Sequence, residues 1–364
     1  MTKEDFRAAV NAAMDAPAEN QPLALELLSG ASKRPCFVVG RNEQASGLIG
    51  MFRIDGVVDD FAQAGAVWSG LPAISTARLP ADAIVINCST SISPVAVEQR
   101  IRAAGIASIV SIYELIRAAA GAIEWPEFVR EQREDWRAFE GEWTDLFSLM
   151  EDGQSEQTLF DVLRYRLTAN TQFMQGYAVR VKDQYFEPFL DLRSEVFVDA
   201  GGFDGDTTEE FCRRYPDYRK VLLFEPSERN MRAAKIRLEG HRDISFWPEG
   251  LSDSPGSITF NPEAGSASAV TSGPGEEIQV TTLDRAVAEP VSFIKMDLEG
   301  WELKALAGCE RHIRDDRPKL AIAVYHQAAD FRNVCRYVRS IRPDYRVYLR
   351  HYTQGWSETV MYFL

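Results

Sequence analysis

Over the first third of the chain, apolar residues come in short β-branched runs separated by polar stretches of helical spacing. CFVVG (36–40), IDGVVDD (54–60) and AIVINCS (83–89) have strand length, SIV (109–111) adds a fourth run, and VAVEQRIRAAG (95–105) reads as a helix between them. Strands alternating with helices predict right-handed βαβ units on a parallel sheet. Residues 1–120, which open with a helical stretch, are therefore expected to form a small α/β domain. From Trp125 to about Leu190 the pattern changes. WPEFVREQREDWRAFEGEWTDLFSLMED and SEQTLFDVLRYRLTANTQFM carry apolar residues at helical intervals and no strand signal,. This predicts a helical connector over 121–190, with Pro126 at a helix start. Its aromatic stripe (Trp125, Phe128, Trp136, Phe139, Trp143, Phe147) is read as packing, either bridging domains or meeting a second copy in a homo-oligomer.

A second α/β series fills 191–364. Its strands are VFVDA (196–200), KVLLFEP (220–226), ISFWPEG (244–250), SFIKMD (292–297), KLAIAVYH (319–326), YRVYLRH (345–351) and ETVMYFL (358–364), with helical segments after the first, second, fourth and fifth. Only YTQGWS separates the last two, a length that suits a hairpin and not a crossover. Five parallel strands ending in an antiparallel hairpin are expected. SITFNPEAG…EEIQVTTLD inserts an extra strand pair between the third and fourth, with 265–277 read as a loop,.

Bulk properties narrow the function classes. A chain of 364 residues exceeds what one core usually supports, and 45% apolar content is enough for two,. The formal charge of -14 repels polyanions, which argues against nucleic acid and anionic membrane surfaces as partners,. Five scattered cysteines with no C-x-x-C spacing indicate neither a disulfide framework nor a zinc knuckle, and so a reducing compartment,. The charged N-terminus has no apolar signal core, and no run approaches the roughly 18 apolar residues of a membrane span. A cytoplasmic address is expected.

The chemistry is concentrated at the strand ends of the second series. VFVDAGGFDGDT (196–207) runs a strand into a glycine-rich turn that carries three aspartates. In an open parallel sheet, ligands bind at the carboxyl ends of the strands. Carboxylates there oppose a pyrophosphate by on the order of 1–4 kcal/mol per close pair. A ligand with a cationic centre and an ammonium group satisfies both the close backbone approach and the charge, and S-adenosylmethionine has both. Glu225, about twenty residues on at the end of the next strand, has the spacing of a ribose-binding acid. Glu249-Gly250-Leu251-Ser252-Asp253 would lie beside the adenine, and Asp297 and Glu299 near the reacting methyl group.

In that order and spacing, VFVDAGGFDGDTTEEF, LLFEPSERN, EGLSDSPGSITF, TTLDR, FIKMDLEGWELKALAG, PKLAIAVYH and ETVMYFL resemble the FkbM family of S-adenosylmethionine-dependent O-methyltransferases. The likeness runs from about Gln184 to Leu364. It implies a class I methyltransferase fold over 191–364, a seven-stranded Rossmann-like sheet whose C-terminal hairpin is antiparallel, and methylation of hydroxyls on sugars, saccharides or related natural products. By position it implies Asp199, Gly201 and Asp204 for the methionine moiety, Glu225 for the ribose, Ser252 and Asp253 for the adenine side, and Asp297 at the catalytic edge, with Gly202 and Phe203 of the same turn also expected to bind the cofactor. In the first domain, VVGRNEQASG resembles a Rossmann first turn but lacks the second glycine. That domain is read as degenerate, with Arg41, Asn42 and Asp59 as its ligands should a dinucleotide bind.

Methyl transfer to an alcohol mainly needs alignment, and then a base for the hydroxyl proton. His326 is the expected base, with Asp297 and Glu299 as further catalytic groups. Trp301, Tyr325, Arg350 and His351 are expected around the acceptor, together with the loop 265–277. No compact metal motif such as H-x-x-x-H occurs, so no metal ligand is assigned. A divalent cation on Asp297, Glu299 and His326 is the alternative to a protein base. The competing classes are an NAD-linked oxidoreductase using the first domain and a non-catalytic nucleotide-binding module.

Overall fold

A computed structural model describes residues 1–17, 21–260 and 276–364. The loop expected at 265–277 lies, but for its last two residues, outside the described residues. The chain divides into two compact units. The first comprises Met1–Glu140, Leu159–Val179 and Tyr352–Ser357, and the second Gly141–Thr158, Arg180–His351 and Glu358–Leu364. Residues 121–190 are thus shared between the units. The helix Glu127–Leu149 leaves helical geometry at Phe139 (φ -134°, ψ 29°), next to the division.

The first unit holds six strands: β1 (Cys36–Val39), β2 (Gly56–Val58), β3 (Val67–Trp68), β4 (Leu71–Ile74), β5 (Ile84–Asn87) and β6 (Ser108–Ser111). Their order is β3-β4-β2-β1-β5-β6, and all pairs are parallel except β3 with β4. β1 and β5 are buried throughout, as strands covered on both faces must be,. The β3–β4 hairpin was not expected. Its two-residue turn, Ser69-Gly70, has φ of 48° and 79°, the paired left-handed geometry that tight hairpins favour,. Two residues of strand leave no periodicity to read, and Pro72 weakens the strand signal further. In this unit Trp136 packs on Phe6 and donates to Asn11 Oδ1 at 2.9 Å, while Phe128 stacks on Trp356.

The second unit is built on β7 (Val196–Ala200), β8 (Lys220–Phe224), β9 (Ile244–Trp247), β13 (Phe293–Met296), β14 (Lys319–Ala323), β15 (Val347–His351) and β16 (Thr359–Phe363). Between β9 and β13 come β10 (Gly250–Leu251), β11 (Gly256–Phe260) and β12 (Glu276–Thr281). The large sheet runs β15-β16-β14-β13-β7-β8-β9. Only β16 is reversed: it pairs antiparallel with both β14 and β15, so β15 points the same way as the five strands before it. The expected antiparallel hairpin is present, and its second strand alone breaks the parallel order. The inserted pair forms a separate three-stranded sheet, β10-β12-β11. Phe197 and Phe293 stack at 4.9 Å where β7 meets β13, both buried, and Phe211 from the helix Asp206–Arg214 lies 4.4 Å from Phe197. This core fixes the strand ends that carry the site. Among the described residues no helix is long and apolar enough to cross a membrane, and all five cysteines are buried and unbonded.

Candidate active site

A cavity of about 750 Å³ opens in the second unit where β7, β8 and β13 end. Its floor is the turn after β7. Gly201 has φ 77°, and a Cβ there would lie 2.0 Å from the carbonyl oxygen of Asp297. Only glycine allows the turn to pass this close to β13. The amides of Gly201 and Gly202 both donate to Phe224 O at 3.0 Å, which ties the turn to β8. The turn feeds the helix Asp206–Arg214, whose first turn carries Asp206 and Glu209. Carboxylates already complement the positive end of that helix, so the place a phosphate would take is electrostatically filled.

Beneath the turn, Asp199 and Lys295 face each other across the β7–β13 register, Nζ to Oδ1 3.1 Å, both buried. Lys295 Nζ also donates to Gly201 O (2.8 Å), and Thr208 Oγ1 donates to Asp199 Oδ2 (2.7 Å). Burial works against the ammonium, but Asp199 and then Asp297 outweigh it and hold the lysine above its ordinary range. At the end of β8, Glu225 lines the cavity and accepts from the amides of Phe203 (3.0 Å) and Ser227 (2.9 Å). Burial raises its carboxyl and these N–H groups oppose the rise. Asn230 Nδ2 adds a third donor, to Oε1 at 3.5 Å; two oxygens offer about four acceptor sites, so one remains, on Oε2.

The far end of the cavity is an acidic corner. Asp297 Oδ2 accepts from Tyr185 Oη at 2.6 Å, and its Oδ1 lies 3.5 Å from Tyr325 Oη and 3.3 Å from His326 Nε2. Gln184 Nε2 donates to Tyr185 Oη (3.0 Å) and to Glu358 Oε2 (2.9 Å). Burial, then Asp297, push the Glu358 carboxyl up to about 7. Four lining residues other than glycine, Tyr185, Phe203, Glu299 and Glu358, have left-handed φ of 72°, 45°, 53° and 65°. Such strain persists where the surrounding structure over-determines it, and it gathers at functional sites.

The model of the methyltransferase FkbM domain matches residues 199–352. These residues form an FkbM methyltransferase domain. A crystal structure of a methyltransferase FkbM from Methylobacillus flagellatus matches with a TM-score of 0.74 at 24% identity, over 100% of both chains, and so shares the fold. An rRNA methylase from Streptococcus thermophilus matches with a TM-score of 0.33 and 20% identity over 48% of this chain and 90% of its own. Aeropyrum pernix fibrillarin, solved with bound S-adenosyl-L-methionine, has a TM-score of 0.34 and 13% identity over 50% of this chain and 71% of its own. No curated protein matches the sequence.

In the FkbM domain, the cavity is lined by Gly201, Phe203, Glu225 and Asp297 of the expected residues, and by Glu299, Trp301 and Tyr325 on the acceptor side. The others stand elsewhere. Asp199 is sealed beneath the turn with Lys295. Gly202 packs on Leu223, whose Cγ would lie 2.5 Å from an added Cβ. Asp204 turns away to Arg237 at 2.6 Å. Ser252 accepts from Trp301 Nε1 (3.2 Å) and Asp253 pairs with Lys304 (2.6 Å), so the wall there is made by Gly250 and Leu251 instead. Arg350 is buried against Asp152 (2.7 Å) and Ser155 (2.8 Å), and His351 Nδ1 against Thr359 Oγ1 (2.8 Å); neither lines the cavity.

His326, the expected base, does not line the cavity. Its side chain is 1% exposed, and Asp297, Glu299 and Glu302 surround it. Burial lowers its pKa, but Glu302 and then Asp297 and Glu299 outweigh that and raise it to about 10. Sequence reasoning missed Lys295, Tyr185, Gln184, Glu302 and Glu358. The K of KMDLEG was the readable signal for Lys295. Glu358 opens the last strand run and gave none.

In the first unit, the polar groups of the glycine turn are used internally. Arg41 pairs with Asp59, and Asn42 caps the helix Glu43–Met51 while donating to Cys88 O at 2.6 Å.

Proposed function

We propose that the protein is an S-adenosylmethionine-dependent O-methyltransferase acting on a hydroxyl of a saccharide or related natural product. The observation that carries this reading is the phosphate-averse cradle: a glycine turn pressed against β13, a helix start filled by Asp206, and Glu225 at the next strand end with acceptor capacity to spare. The methionine part lies along Gly201 and Phe203, the ribose on Glu225, and the adenine against Gly250 and Leu251. The sulfonium faces a lining in which carboxylates outnumber basic side chains.

The acceptor oxygen attacks the methyl carbon in line with the departing sulfur. The O–C bond forms as the C–S bond breaks, and sulfur keeps the electron pair. Alignment can contribute about 7–11 kcal/mol to such a step. Glu358 takes the hydroxyl proton: it lines the cavity, it is held by Gln184, and its raised pKa suits a base near neutrality,. Trp301 and Tyr325 offer flat apolar faces with polar tips to a polyol.

The test is a mass gain of one methyl group when the purified chain, labelled donor and candidate saccharides are combined, alongside calorimetry with S-adenosylhomocysteine. A folded chain that ignores both donor and product while binding a dinucleotide in this cavity would overturn the reading.

A further inference from the structure

Both ring nitrogens of His326 are buried and make no hydrogen bond among the described residues, and the one on the cavity side is Nε2. It is aimed at two carboxylate oxygens, Asp297 Oδ1 at 3.3 Å and Glu299 Oε2 at 3.5 Å, and both of those residues line the cavity. An unpartnered buried nitrogen facing two anionic oxygens costs free energy unless something satisfies all three. Neighbouring ligands at right angles around an ion are about 1.4 bond lengths apart, so these separations correspond to bonds of about 2.3–2.5 Å, close to the range of hard divalent cations.

The surroundings are those of a coordination site. The other ring nitrogen, Nδ1, lies within ion-pair distance of Glu302 Oε1, at 3.1 Å, so a carboxylate stands behind the ring as it does behind many ligating histidines,. Glu302 Oε1 is itself fixed by the amide of Leu298 at 2.7 Å. Tyr185 Oη occupies Asp297 Oδ2 and leaves Oδ1 turned towards the histidine. The left-handed φ of Glu299, 53°, followed by Gly300 at 90°, belongs to the turn that presents the third oxygen.

We propose that Asp297, Glu299 and His326 Nε2 form a divalent-cation site open to the cavity, with Glu302 and Tyr185 as its positioning residues. Oxygen donors with one imidazole suit Mn²⁺, and bonds of about 2.3–2.5 Å fall in the range of Ca²⁺ and not of Mg²⁺. Binding of the ion stands on the geometry alone. Its role rests on the methyl-transfer reading: the acceptor hydroxyl fills an open position, its pKa falls, and its proton passes more readily to Glu358.

Mn²⁺ is titrated into the chelator-treated full chain and followed by electron paramagnetic resonance, with S-adenosylhomocysteine binding measured calorimetrically on the same sample. One site per chain is expected, competed by Ca²⁺ and weakened at least tenfold in Glu302→Gln and more in Glu299→Gln. Replacing buried His326 risks the fold, so Glu299, with a side chain 44% exposed, carries the test. Folded wild-type chain that binds neither Mn²⁺ nor Ca²⁺, or Glu299→Gln that binds as tightly as wild type, overturns the site. In that event retained S-adenosylhomocysteine binding leaves the methyltransferase reading intact. Cation binding without any S-adenosylhomocysteine binding would sink that reading and spare the site.

Discussion

Gly201 has no room for a side chain: a Cβ would meet the Asp297 carbonyl oxygen at 2.0 Å, and φ is 77°. Gly201→Ala should therefore lower stability by more than about 2 kcal/mol, read as a lower urea midpoint, and abolish S-adenosylhomocysteine binding. A near-neutral effect would mean that the turn does not approach β13 this closely. Glu358 gives a second test. As a carboxyl raised to about 7, it is protonated below that pH and competent as a base above it, so turnover should rise through pH 7 and level off. Glu358→Gln should remove this limb and lower kcat by about 10²–10⁴-fold. The sign for stability is opposite. A raised carboxyl favours the fold while protonated, and that contribution is lost as pH climbs from the ordinary carboxyl range through 7. Glu358→Gln, which cannot ionise, should then melt higher than wild type at pH 8. Residue types at strand ends were legible in the sequence for Gly201, Glu225 and Asp297, because spacing alone puts them at one sheet edge. Side-chain direction was not: Asp199 and Asp204 flank the same turn, yet one is pulled under it by Lys295 and the other away by Arg237.

Among the elements, the β7–β13 pair is the join on which the cradle depends. Lys295 and Asp199 are buried together within it, and removing one partner leaves the other charge stranded. Lys295→Met should cost about 3–5 kcal/mol by chemical denaturation, while Lys295→Met with Asp199→Asn should recover much of the loss. A single-variant loss below about 1 kcal/mol would show that the pair does not hold the strands. Strands longer than three residues, β4 excepted, were legible from their apolar runs and lay where expected. The two-residue β3 was not, since a period of two needs more residues to show itself. The reversed strand β16 was legible as one arm of a hairpin, but its place between β14 and β15 was not, because pairing across the sheet leaves no mark on local pattern.

For the molecule as a whole, the formal charge of -14 and the carboxylate-rich lining act together on a cationic ligand. The donor and its demethylated product differ by the sulfonium charge. Raising ionic strength should therefore weaken donor binding more steeply than product binding, by about threefold between low and high salt; equal slopes in calorimetric titrations would mean that the field does not reach the sulfur. The division into two units was only partly legible: both sheets could be read, but the sharing of 121–190 between units could not, since a helix crossing a boundary keeps its periodicity.

The cradle draws on positions from Asp199 to Glu358, brought together only when strands distant in sequence have paired. It cannot exist in a half-formed sheet. An occupant therefore resists unravelling of the entire second unit and not of one loop, because every route to the open chain must first surrender it. The amount of intact catalyst would then follow the supply of its own co-substrate: scarcity of donor would thin the population of folded molecules as well as slow each one.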